Sequence, residues 1–132
     1  MTVVSFNFTK MVAEKKKLIK GKIDIKNNIV IKNVSESKMA IDSNRTALKF
    51  DFEYLAKYEP ELGTIEISGE TIFLTDKKIA TDALKEWSKD KKVSGDFIGG
   101  LMNHILTKCN VQAIILSRDI NLPAPIPLPK IK

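Results

Sequence analysis

Hydrophobic and polar residues alternate most cleanly between positions 48 and 74. Leu48, Phe50, Phe52, Tyr54, Ala56 and Tyr58 share one parity, and Lys49, Asp51, Glu53, Leu55 and Lys57 fall between them. Successive side chains of a strand point to opposite faces, so this run predicts a strand with an aromatic face and a largely charged one. Tyr58-Glu59-Pro60-Glu61-Leu62-Gly63 then turns the chain, with Pro60 fixing its own φ and Gly63 free to take a positive one. The return strand runs from Thr64 to Leu74, with Ile65, Ile67, Thr71 and Phe73 on one parity and Glu66, Ser68 and Glu70 on the other. A one-residue slip would carry Glu66 and Glu70 onto the face of Phe50 and Phe52, so the numbers of facing residues must sum to an odd number. Phe50 opposite Thr71 and Phe52 opposite Gly69 meet that condition, and an aromatic ring across a glycine is a favourable pair. The same register sets Asp51 opposite Glu70, and the next allowed one sets Glu53 there.

The N-terminal part carries the same period more faintly. Val4, Phe6 and Phe8 alternate with Ser5 and Asn7 and predict a short strand with one buried face. Lys15-Lys16-Lys17 reads as a solvated connection. Beyond Gly21, the residues Ile23, Ile25, Ile29 and Ile31 share a parity that either makes one long strand or is broken by a hairpin turn at Asn27-Asn28. Continuity of the parity favours the single strand. Residues 35–46 read as a polar loop.

After position 75 the period changes to that of a helix. Thr75 or Asp76 can cap a first helix whose apolar stripe is Ile79, Ala80, Ala83, Leu84 and Trp87, ending near residue 91. Ser94 caps a second, from about Gly95 to Ser117, in which Gly99-Gly100 weaken the first turns by about 1 kcal/mol each relative to alanine. One stripe of this helix, Ile98, Leu101, Met102, Ile105, Cys109, Ala113 and Leu116, suits the aromatic face of the sheet. At 100° per residue, Phe97, His104, Val111 and Ile115 gather on another side. That second stripe is either further core, covered by the first helix, or a subunit interface. The prolines of Asn121-Leu122-Pro123-Ala124-Pro125-Ile126-Pro127-Leu128-Pro129 predict a stiff extended tail. Leu122, Ile126 and Leu128 can strap it onto its own domain, or onto a partner; packing on itself ranks first.

Composition bounds the function. With 132 residues, 43% of them hydrophobic, the expectation is one α+β domain over residues 1–132, its tail occupying residues 120–132. The first residues show no secretory signal, no stretch suffices to cross a membrane, and a lone Cys109 suits a reducing cytoplasm. Cys109 reads as an inert core thiol and His104 as a packing residue, and the pair makes neither a metal site nor a nucleophile. Asp51 and Glu70 read as a solvated face neutralised by lysines rather than an acid/base pair. Phosphate-loop, dinucleotide, zinc-protease and Cys-x-x-Cys motifs are missing, so no catalytic residue, metal or cofactor is expected and the chain is read as non-enzymatic. The net charge of +6 divides into +5 over residues 1–44, −3 over 45–75 and +4 over 76–132. Lys15, Lys16, Lys17, Lys20, Lys22, Lys91 and Lys92 could meet phosphates of RNA or DNA, but Phe6, Phe8, Phe50, Phe52 and Tyr54 share the core parity, leaving few aromatics to stack on bases.

The order of strands, a helix, a long helix containing Ile105-Leu106-Thr107-Lys108-Cys109, and then Asn121-Leu122-Pro123-Ala124-Pro125 resembles the SecB-type export chaperones over roughly Thr46 to Lys132. The chain is also similar in character to small archaeal proteins. The resemblance implies an antiparallel four-stranded sheet with two C-terminal helices packed on one face. It further implies dimers or tetramers and an ATP-independent holdase that keeps client polypeptides unfolded in apolar grooves. SecB-type chaperones are generally acidic and dock an export ATPase through that acidic surface, whereas this chain is basic. A basic nucleic-acid module and a structural subunit of a larger complex are the alternative readings.

Overall fold

A computed structural model describes residues 2–17, 21–37 and 44–126. Four strands come first, β1 (Thr2–Lys15), β2 (Asp24–Ser37), β3 (Arg45–Glu59) and β4 (Gly63–Asp76), followed by the helices α1 (Lys77–Asp90) and α2 (Asp96–Asp119). The strands form one antiparallel sheet in the order β1-β4-β3-β2, and both helices pack on its aromatic face. This is the α+β architecture that the change of period near residue 75 predicts.

The β3–β4 register agrees with the parity argument. Phe50 faces Thr71, Phe52 faces Gly69 and Asp51 faces Glu70. Like charges directly opposite each other destabilise a sheet. Lys49 offsets this pair, its Nζ lying 3.2 Å from Glu70 and 4.0 Å from Asp51. The hydrogen bond to Glu70, helped by both carboxylates, in turn raises the Lys49 pKa. Lys10 with Glu66 at 3.5 Å and Lys32 with Glu53 at 3.8 Å continue this charge-paired outer face.

β-Bulges account for two departures from the sequence expectation. β1 is far longer than Val4–Phe8, because bulges between Val3 and Ser5 and between Phe8 and Lys10 reset its parity and hide the continuing strand. Val3, Phe6, Phe8 and Ala13 therefore pack against the core, while Val4 is 43% exposed. β2 runs unbroken through Asn27-Asn28, as the continuous parity favoured, and its bulge between Ile31 and Asn33 lets Val34, of the other parity, join Ile29 and Ile31 against the core. It also continues through Ser37, and β3 begins at Arg45, so both ends of the expected loop at 35–46 are strand; residues 38–43 lie outside the described residues. At the β3–β4 turn, Glu61 rather than Gly63 takes the positive φ, 48°. Gly63 instead meets a close approach, since a Cβ there would lie 2.5 Å from the Glu14 carbonyl oxygen.

The core joins Phe50, Phe52, Tyr54, Ile65, Ile67 and Phe73 of the sheet to Ala80 and Ala83 of α1 and to Leu101, Ile105, Cys109 and Ala113 of α2. Burying each large side chain contributes about 1.5–3 kcal/mol. Phe50 stacks on Phe73 at 5.3 Å and Phe6 on Phe52 at 5.2 Å. Within α1, Leu84 and Trp87 are half-buried and Ile79 is 39% exposed. Its N-cap, Asp76, makes no side-chain cap bond; the Lys77 N–H donates instead to the Asn44 carbonyl at 3.1 Å. The N-cap of α2 is Gly95, not Ser94. Ser94 grips Glu86 of α1, its N–H on Oε1 and its hydroxyl on Oε2 at 2.8 Å, which fixes the connection between the helices.

Candidate functional site

The four α2 residues expected on a common stripe divide into two pairs. Phe97 packs on its own sheet, with ring centroids 5.2 Å from Phe73 and 6.4 Å from Phe50. His104 sets its ring edge-on to Phe6 at 5.5 Å. Val111 and Ile115, 56% and 39% exposed, face outward. A flat projection of a helix misses this, because a twisted four-stranded sheet wraps both flanks of a helix laid across it. Phe97 thus meets β3 and β4, and His104 meets β1.

The tail is strapped onto its own chain as far as it is described. Leu122 is 6% exposed and belongs to the core. Its N–H donates to the Ser117 carbonyl at 2.8 Å. The Pro123 carbonyl accepts from the Tyr58 hydroxyl at 2.5 Å, and the Pro125 carbonyl accepts from Asn27 Nδ2 at 2.7 Å. Lys15 Nζ reaches the Asn121 carbonyl at 3.5 Å. An extended segment thereby crosses from the end of α2 over β3 to β2, held chiefly by its main-chain oxygens. Ile126 is half-buried, and Leu128 lies outside the described residues.

Two clefts flank these elements. The first, ≈ 460 Å³, opens between α1 and the start of α2; Ile79, Ala83 and Phe97 line it together with Asp82, Glu86 and Asp96. The second, ≈ 320 Å³, lies between β2, β3 and α2 and is lined by Asn27, Tyr54, Leu106, Asn110 and Ile126 among others. Tyr54 Oη and Asn110 Oδ1 are buried without a hydrogen-bond partner, as is His104 Nε2, which is not among the lining of that cleft. Alternation gave one signal for this second cleft: Asn27 is a polar residue on the buried parity of Ile25 and Ile29. Nothing in the pattern singles out Tyr54, Tyr58 or Asn110, whose polar ends only the assembled fold brings beside the tail.

Burial sets the chemistry of the central groups. It pushes the Tyr54 hydroxyl from 10.0 up to about 12, with a smaller contribution from Cys109. Tyr58 moves likewise from 10.0 to about 12, mainly through burial and then through Tyr54. The Cys109 thiol rises from 9.0 to about 12 on burial alone, so at neutral pH it is a protonated core group and no nucleophile. Among the described residues, no group of three or more His, Cys, Asp or Glu could hold a metal ion, and no helix is long and apolar enough to cross a membrane. The basic residues divide between two places, with Lys16 and Lys22 both beside Glu59 and Pro60. Lys16 bonds through its N–H to Leu62 at the β3–β4 turn, whereas Lys91 lies over the Trp87 ring at 5.6 Å; Lys20 is outside the described residues.

No family model matches the chain, and no curated protein does. Among solved structures, the chain is similar in fold to the Mycobacterium tuberculosis SecB-like chaperone Rv1957, solved in complex with a ChAD peptide from the Rv1956 HigA1 antitoxin. The TM-score is 0.59 at 8% sequence identity, over 99% of this chain and 90% of that one. At that identity the likeness is one of fold.

Proposed function

We propose that this chain binds extended or unfolded polypeptide and holds it from aggregating without ATP, as a cytoplasmic homo-oligomeric chaperone and not as an enzyme. The carrying observation is the open apolar surface on the helix side: the cleft of ≈ 460 Å³ with Ile79 and Phe97 in its wall, acidic at Asp82, Glu86 and Asp96. Such a wall suits client segments in which large apolar residues stand beside Lys or Arg. The SecB-like fold supports the reading, since its solved neighbour holds a peptide. In a light-scattering assay, a near-stoichiometric amount of the protein should suppress aggregation of a chemically denatured model protein with no nucleotide present. Unchanged scattering sinks the proposal. If the chain instead retards RNA at low salt and loses it steeply as salt rises, it is the basic nucleic-acid module.

The oligomer forms through Val111 and Ile115, exposed apolar neighbours at helical spacing on α2. Val111→Asp with Ile115→Asp should reduce the solution mass to that of one chain while leaving the far-UV circular dichroism unchanged. A mass unaffected by the pair removes α2 from the interface.

A further inference from the structure

Every buried polar group needs a partner, and the ≈ 320 Å³ cleft contains two that lack one. Tyr54 is fully buried, 0% exposed, and its hydroxyl can donate; Asn110 Oδ1 can accept. Next to them, Asn27 Nδ2 and the Tyr58 hydroxyl each donate to a main-chain carbonyl of the tail. No acidic or basic residue lines the cleft, which argues for an uncharged ligand. Tyr58, Asn27 and Tyr54 of the sheet and Asn110 of α2 thus form a set of hydrogen-bonding groups, the first two used by an extended segment and Tyr54 and Asn110 unused.

We propose that this cleft reads the main chain of an extended polypeptide segment through Asn27, Tyr54 and Asn110, and that the chain's own Leu122–Ile126 occupies part of it as an internal stand-in. This rests on the polypeptide-binding reading above and specifies how the polypeptide is recognised. The tail is chemically suited to be displaced. Pro123 and Pro125 offer carbonyl oxygens but have no N–H, so neither can supply the donor that Asn110 Oδ1 lacks. A segment free of proline presents both an N–H and a C=O at each residue and can satisfy Tyr54 and Asn110 together. The site therefore prefers proline-free extended backbone, and Ile126, in the cleft wall, holds the stand-in there until such a segment arrives.

Fluorescence anisotropy with a labelled, uncharged Val/Thr-rich peptide, compared with the same peptide bearing proline at alternate positions, tests this on the full chain. Tyr54→Phe and Asn110→Leu should each weaken the proline-free peptide by roughly three- to tenfold, the loss of one hydrogen bond. Asn110→Leu should leave the proline-bearing peptide unchanged, whereas Tyr54→Phe should weaken both, because proline keeps its carbonyl oxygen. Ile126→Asp should unseat the tail and tighten the proline-free peptide by about fivefold, because a competing occupant lowers the fraction of open sites. Circular dichroism and thermal melting verify that each variant is folded, and Tyr58→Phe, which removes the donor to the Pro123 carbonyl, serves as a second tail-releasing variant. Binding that ignores Tyr54→Phe and Asn110→Leu, or that does not discriminate between the peptides, overturns this inference while leaving the chaperone reading intact. Peptide binding absent from every variant, together with no suppression of aggregation, overturns both.

Discussion

Raising the pH through 9 to 12 is expected to unfold this protein. Cys109, at 0% exposure, has an ordinary thiol value of 9.0 and is pushed to about 12 by burial. Tyr54 and Tyr58, at 0% and 1% exposure, move from 10.0 to about 12. All three are neutral when protonated, so the folded chain keeps its protons where the unfolded chain gives them up. Their contribution is complete below about 9 and is lost as pH climbs towards 12, at about 1.4 kcal/mol per pH unit for each group once the unfolded form has ionised. Lys49, its pKa raised chiefly by the Glu70 hydrogen bond, changes in the same direction, since its ion pair fades when it deprotonates. Against a total stability of about 5–15 kcal/mol for a domain of this size, these losses should bring the unfolding midpoint below pH 12. Urea titrations at successive pH values measure the slope, and Tyr54→Phe should reduce it. Stability that stays level between pH 9 and 11 would contradict the burial of these groups.

Gly69→Val is expected to cost about 3 kcal/mol or more. The Phe52 ring lies against Gly69, and a Cβ added there would come 2.7 Å from Phe52 Cζ and would also strike the Asn7 carbonyl oxygen. Phe52 is in turn held by Phe6, stacked at 5.2 Å, and by Phe8 at 6.5 Å, so the ring has nowhere to go. Overpacking of this kind costs about 1–3 kcal/mol in an ordinary core and more where the backbone itself is in the way. Gly99→Ala gives the opposite sign. Gly99 is exposed within α2, a Cβ there meets nothing within 4 Å, and alanine should stabilise the helix by about 0.5–1 kcal/mol. Denaturant midpoints of the two variants should therefore move apart, and a Gly69→Val midpoint equal to that of the parent chain would refute the packing described for the centre of the sheet.

The centre of the sheet was the most readable part of the sequence. Glu66 and Glu70 admit only one parity of pairing with Phe50 and Phe52, and the glycine facing an aromatic then follows, as observed at Phe52 and Gly69. Legibility stops where a single residue interrupts the period. Val4 shares the parity of Phe6 and Phe8 yet is 43% exposed, because the bulge after Val3 shifts it, and a bulge leaves no mark in a hydrophobic pattern. Helix 2 shows the converse limit. Its main stripe of Leu101, Ile105, Cys109 and Ala113 is buried as the helical period requires. Phe97 and His104, on the other stripe, find partners among aromatic residues far away in the chain, and helical spacing carries no information about those. Self-packing of the tail was foreseeable from Leu122 and Ile126, but the side chains that grip its carbonyl oxygens belong to strands whose order is a property of the folded sheet.

The two bulges in β1 and the one in β2 bear on how the sheet avoids being extended by a foreign strand. β1 and β2 are the outermost strands, each presenting a ladder of backbone groups that a foreign strand could extend. An irregularity in each edge strand twists it and breaks its spacing, so that a passing strand cannot pair along its whole length. Edge-to-edge pairing with another strand is thereby disfavoured at both rims of the sheet.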